Sequence, residues 1–67
     1  MEKYAKRLKS LREEEGLSIR ELSAKTNINK DKLNRCERGV SQPNLKEIII
    51  LAEFYGVSTD YICGLKD

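Results

Sequence analysis

Apolar residues recur along this chain at spacings of three and four, with polar residues filling the intervals. That is the period of helices, and no strand-like alternation appears. Tyr4, Leu8 and Leu11, with Ala5 and Arg12 beside them, predict a first helix over Glu2 to Glu15. Gly16 is a suitable residue to end it, and Leu17 anchors the chain beyond. The run Glu13-Glu14-Glu15 opposes the helix dipole and predicts fraying there. Ser18 begins a second helix, because its hydroxyl can accept from free first-turn N–H groups. Glu21, three residues on, can reach back to complete a capping box. Leu22 points inward, and Ser23 and Ala24 are small enough for a close helix crossing. Asn27 tolerates the left-handed backbone that a sharp turn after Thr26 needs. Ile28 plugs that turn into the core, and Asn29 caps a third helix from Lys30 to Arg38, ended by Gly39.

Gly39 to Asn44 reads as a loop, since Pro43 disfavours helix at Gln42. Asn44 and Glu47 form a second capping box at the head of a fourth helix, Leu45 to Tyr55. Leu45, Ile48, Ile49, Leu51, Ala52 and Tyr55 trace one broad apolar face, and Ile50 and Phe54 fall opposite. Gly56 ends this helix, Val57 returns to the core, and Ser58-Thr59 opens a last short helix through Cys63. The pattern is all-α, five helices in one small domain spanning residues 1–67.

Composition narrows the function. With 36% charged and 39% hydrophobic residues, the chain is an ordinary globular one. Its net charge of +2 is unevenly placed. Residues 1–40 hold eleven Lys/Arg against seven Asp/Glu, and residues 41–67 hold two against four. The basic excess lies in the half that contains the third helix. The start, MEKYAKRLKS, has no apolar signal core, and the longest apolar run, Ile48 to Ala52, is too short to span a membrane. Two cysteines and no histidine do not make a zinc site. Cys36 reads as a buried small hydrophobe and Cys63 as partly exposed. Without a histidine, a phosphate-cradling glycine loop or a metal cluster, the sequence predicts no enzyme, no cofactor and no small-molecule ligand.

The third helix carries the candidate chemistry. At about 100° per residue, Leu33 and Cys36 fall on one side with Glu37 at the margin. Lys30, Asp31, Asn34, Arg35 and Arg38 fall on the other. In a major groove, Arg and Lys donate to guanine, Asn pairs with adenine and Asp accepts from cytosine N4. The same face also fits a merely solvated helix surface.

The stretches LREEEGLSIRELSAKTNINKDKLNRCERG and SQPNLKEIIILAEFYGVSTDYICG resemble the Cro/CI-type helix-turn-helix family of phage and bacterial repressors, from Tyr4 to Leu65. Leu17-Ser18, Glu21-Leu22, Glu37-Arg38-Gly39, Pro43, the Leu45/Ile48/Leu51-Ala52 spacing and Gly56-Val57-Ser58 with Asp60-Tyr61 all fall in its register. The resemblance implies a compact five-helix, lambda-repressor-like DNA-binding domain, with a helix-turn-helix over 18–38 and the third helix in the major groove. It places Lys30, Asp31, Asn34 and Arg35 at base edges. It places phosphates at Ser18, the backbone around Ile19 and Arg20, Lys32, Arg38, Ser41, Gln42 and Asn44. Ser18 and Asn44 serve as caps with or without DNA. The resemblance also pairs Arg12 with Glu37, fixing how the reading helix sits.

Two residues depart from the family pattern. Ile19 stands where a phosphate-contacting Gln is usual, and it loses that contact in favour of a thymine methyl or a protein partner. Asn27 stands where Gly is usual. The family binds as a two-fold dimer, and Ile50, Phe54, Tyr61, Ile62 and Leu65 are the candidate interface, against the alternative of scattered exposed apolar residues. The implied function is sequence-specific binding of double-stranded DNA by a small cytoplasmic transcriptional regulator, a repressor, of bacterial or phage origin. The alternative is a protein-interaction module on the same fold, antitoxin-like or anti-regulator, favoured by Ile19 and the modest charge.

Overall fold

A computed structural model describes residues 2–65. Met1 and the charged pair Lys66 and Asp67, the ends of the expected domain, lie outside the described residues. The chain forms α1 (Lys3–Glu14), α2 (Ile19–Thr26), α3 (Lys30–Glu37), α4 (Leu45–Tyr55) and α5 (Thr59–Cys63), with no strand among the described residues. The whole measures 27 × 24 × 22 Å.

Four of the five helix starts are fixed by side chains. Ser18 Oγ accepts from the Glu21 N–H at 3.1 Å, and Glu21 accepts from the Ser18 N–H at 2.9 Å. Asn44 and Glu47 repeat this box at 2.8 and 2.9 Å. Asn29 Oδ1 accepts from the Asp31 and Lys32 amides, and Ser58 Oγ from that of Tyr61. Each cap is worth about 1 kcal/mol. For helices of five to twelve residues, too short to persist alone, that matters. α1 has no side-chain cap and depends on its packing.

The helices close around one cluster: Leu8, Leu22, Ile28, Leu33, Cys36, Leu51, Ala52 and Ile62. α1 packs on α3 and α5, α2 on α3 and α4, and α4 on α5. The ends of the chain meet closely. Gly64 has φ 81°, and a Cβ placed there would lie 2.6 Å from the Lys3 Cβ, so α5 closes on α1 through a residue that must be Gly. Arg7 reinforces this contact. Its Nη1 donates to the Tyr61 carbonyl at 2.6 Å, and its guanidinium stacks 4.3 Å from the Tyr61 ring centre.

The expected helices, their caps and the left-handed Asn27 (φ 63°) are all present. The orientation of α4 differs from expectation. Leu45 and Ile49, expected inside, are 72% and 43% exposed, while Ile50, expected outside, is half-buried against the core. α4 is held between α5 and α2, so its covered arc runs through Ile48, Leu51, Ala52 and Tyr55 and reaches Ile50. Leu45, in the first turn, falls outside that arc. The proposed dimer residues change accordingly. Ile62 is wholly buried as a core residue, and the Tyr61 ring is half-buried beneath Arg7. Phe54, its ring edge-on to Tyr55, and Leu65 do face solvent. Ala24 is exposed, and Ser23 lies at the turn. Cys36 is buried, Cys63 is exposed, and both are free thiols.

Candidate nucleic-acid interface

The turn between α2 and α3 is closed by its own polar groups. Asn27 takes the left-handed conformation and its N–H donates to the Ser23 carbonyl at 2.8 Å. Ser23 Oγ donates to the Ile28 carbonyl, and buried Thr26 donates its hydroxyl back to the Leu22 carbonyl at 2.8 Å. With Ile28 seated in the core, these bonds leave the turn few alternative shapes. The roles of Ser23 and Thr26 were not legible in advance, because a small polar residue near a turn has many possible partners.

α3 is fixed along its inner side by Leu33 and Cys36, each 2% exposed, and at its C-terminal end by Glu37. Arg12 Nε donates to both Glu37 carboxylate oxygens, at 3.1 and 2.9 Å, and Arg12 Nη1 donates to the Leu17 carbonyl at 2.7 Å. One guanidinium therefore ties α1 to the end of α3 and to the segment leading into α2. The hydrogen bond to Glu37 holds the Arg12 pKa above its ordinary value, although burial acts the other way.

Lys30, Asp31, Asn34 and Arg35 are all exposed, and none of their side chains has a hydrogen bond or ion pair among the described residues. They project together from a helix of eight residues, about 12 Å long at about 1.5 Å per residue. Arg38 caps the same helix and is exposed. Lys32 is placed differently. It is half-buried, with its ammonium 3.6 Å from the Glu47 carboxylate, and so links α3 to α4.

Around α3 lie two groups of donors. At the start of α2, the capping box uses the Ser18 and Glu21 amides and leaves those of Ile19 and Arg20 without an intrahelical acceptor. The Ile19 side chain is half-buried against the core, which explains an apolar residue at this position without any partner. On the other side, the loop after α3 is drawn inward. The Val40 and Ser41 amides both donate to the Arg35 carbonyl, and the Tyr4 hydroxyl donates to the Ser41 carbonyl at 2.9 Å. Gln42 and Asn44 are exposed beside it. The Tyr4 bond spans 37 residues in sequence, and a single chain offers no local signal for such a pair.

Beneath this loop is a cavity of about 190 Å³ lined by Tyr4, Gln42, Pro43, Ile48, Ile62 and Cys63. Among the described residues no group of His, Cys, Asp or Glu could hold a metal ion, and no helix is long and apolar enough to cross a membrane.

A two-helix unit with a locked turn, carried on a bundle of three more helices, is the arrangement that a helix-turn-helix family model matches over residues 8–62. The chain belongs to the Cro/CI-type helix-turn-helix family. It is 39% identical over 64 residues to an uncharacterized HTH-type transcriptional regulator, YobD, of Bacillus subtilis, covering 96% of this chain and 57% of that protein. It is 37% identical to the HTH-type transcriptional regulator ImmR of the same organism, over 88% of this chain and 46% of the other. With the HTH-type transcriptional regulator DdrOP3 of Deinococcus deserti it shares 34% identity, over 96% and 50% of the two chains. The chain thus spans about half the length of these curated relatives. No solved structure matches it significantly. Within the helix-turn-helix unit, α2 supplies the turn and a pair of open amides, and α3 supplies the outward side chains.

Proposed function

We propose that this chain reads a specific sequence of double-stranded DNA and acts as a small transcriptional regulator, a repressor, without enzymatic activity. The carrying observation is the division of α3. Its inner side is held by Leu33, Cys36 and the Arg12–Glu37 pair, and its outer side presents four uncommitted polar side chains. That is the pre-organisation a major-groove reader needs. In this reading residues 1–67 form a single DNA-binding domain, with the helix-turn-helix at 18–38, working in the cytoplasm. Lys30, Asp31, Asn34 and Arg35 contact base edges. Ser18, the amides of Ile19 and Arg20, and the side chains of Arg20, Arg38, Ser41, Gln42 and Asn44 contact phosphates. Lys32 contacts a phosphate only after leaving Glu47, a weak pair that a phosphate can displace.

The chain binds as a two-fold homodimer to half-sites about one helical turn apart. Exposed Leu45, Ile49, Phe54 and Leu65 support an apolar contact between copies. The protein-interaction alternative loses its main support, since Ile19 packs on the core.

Selection from a random duplex library at near-physiological salt tests the reading. The expected result is a symmetric site whose binding weakens steeply with salt, as phosphate contacts release counterions. Arg35→Ala is expected to cost about 1–3 kcal/mol of affinity and to relax one base position. A library that yields no enriched sequence overturns the proposal.

A further inference from the structure

α4 carries a second outward face that DNA reading does not use. Leu45 and Ile49 are 72% and 43% exposed and lie one turn apart on the same side of the helix. Lys46 and Glu53 are exposed on that side too, about two turns apart, and their side chains have no partner among the described residues. The order along the stripe is basic, apolar, acidic: Lys46, Ile49, Glu53. This order is self-complementary in one orientation. In an isologous contact, residue i of one copy meets j of the other and j meets i. An antiparallel pairing of two α4 helices about an axis at Ile49 therefore sets each Lys46 against the other copy's Glu53. Ile49 is then covered between two such pairs, with Leu45 at the outer end of the contact beyond Lys46. Parallel pairing would set like charges together. Phe54 lies across the helix, where its neighbours on that face are Ile50 and Glu47.

We infer that α4 is a self-association surface on which a second copy docks antiparallel, through Leu45 and Ile49 with reciprocal Lys46–Glu53 pairs. The inference rests on the homodimer reading above and moves its interface from Phe54 and the C-terminal residues to the outer face of α4. Like charges opposed at both ends of the contact disfavour association, and restoring opposite signs reverses that.

The test is sedimentation equilibrium on the 67-residue chain. The wild type is compared with Lys46→Glu, Glu53→Lys, the double exchange and Phe54→Glu, with helix content monitored by circular dichroism. Each single exchange is expected to raise the dimer dissociation constant roughly tenfold or more, and the double exchange to return it to within about threefold of wild type. Phe54→Glu is expected to leave it unchanged. All three substituted side chains face solvent, so the fold should persist in each variant. A dimer indifferent to the charge exchanges and dissociated by Phe54→Glu overturns this face but leaves the homodimer standing. Loss in both single exchanges without rescue in the double overturns the antiparallel register. A wild type that stays monomeric, alone and on its duplex, overturns both.

Discussion

α3 and α4 are similar in length and both amphipathic, yet each is oriented by a different kind of force. α3 is set by polar bonds as much as by packing: an Asn29 cap at one end and the Arg12–Glu37 pair at the other. α4 is set by apolar burial past its capping box and the weak Lys32–Glu47 pair, through Leu51 and Ala52 against α2 and α5. Hydrogen bonds have direction, so α3 is fixed in rotation as well as in depth. Burial has none, so the rotation of α4 depends on which neighbours it meets. A helix that must present particular atoms to a ligand benefits from the first arrangement.

The comparison is tested most severely at Glu37. Glu37→Ala leaves the Arg12 guanidinium, whose side chain is 15% exposed, without its carboxylate, and about 3 kcal/mol of stability should be lost. Chemical denaturation measures this, and a loss below about 1 kcal/mol would mean that packing alone orients α3. On α4, Leu51→Ala should cost the monomer about 3 kcal/mol, whereas Ile49→Ala should change the monomer's stability by no more than about 0.5 kcal/mol. Equal effects at the two positions would return Ile49 to the core.

Two smaller effects concern local fit. Asn27→Gly should stabilise by a few tenths of a kcal/mol up to about 1, because Gly adopts φ 63° without strain. No gain in thermal midpoint would show that Asn27 contributes more than tolerance. The Tyr55 hydroxyl is buried without a partner among the described residues, and burial pushes its phenol up to about 12. The folded state therefore favours the protonated form. The corresponding stability is complete below the ordinary value of about 10 and is lost as pH rises through about 12. Tyr55→Phe should be near neutral at pH 7 and flatten the stability profile across that alkaline window. A marked loss at pH 7 would reveal a partner for the hydroxyl.

The same contrast explains what was legible in the sequence. In α3 the polar and apolar residues separate cleanly, so a helical wheel places Leu33 and Cys36 inside and Lys30, Asp31, Asn34 and Arg35 outside. The structure agrees. The caps and the left-handed Asn27 were legible for a related reason, since their signals sit within four residues. The run Ile48-Ile49-Ile50-Leu51 in α4 is apolar in every direction and carries no rotational information. Leu45, Ile49 and Ile50 were misplaced there, and Ile62 was assigned to a surface it does not reach. The Tyr4–Ser41 and Arg7–Tyr61 contacts join residues far apart in the chain, which no local spacing encodes. The Arg12–Glu37 pair, 25 residues apart, is also non-local and was available only through family resemblance.

The two groups held by Arg12 share one more property. Its bonds reach the Glu37 carboxylate and the Leu17 carbonyl at once, so the approach to α2 and the end of α3 cannot loosen independently. In hydrogen exchange, amides near Leu17 and near Glu37 should open as a single cooperative unit with α1, with similar protection. α3 then has no partly detached state of its own: it is either fully docked or released together with the helix that precedes the motif.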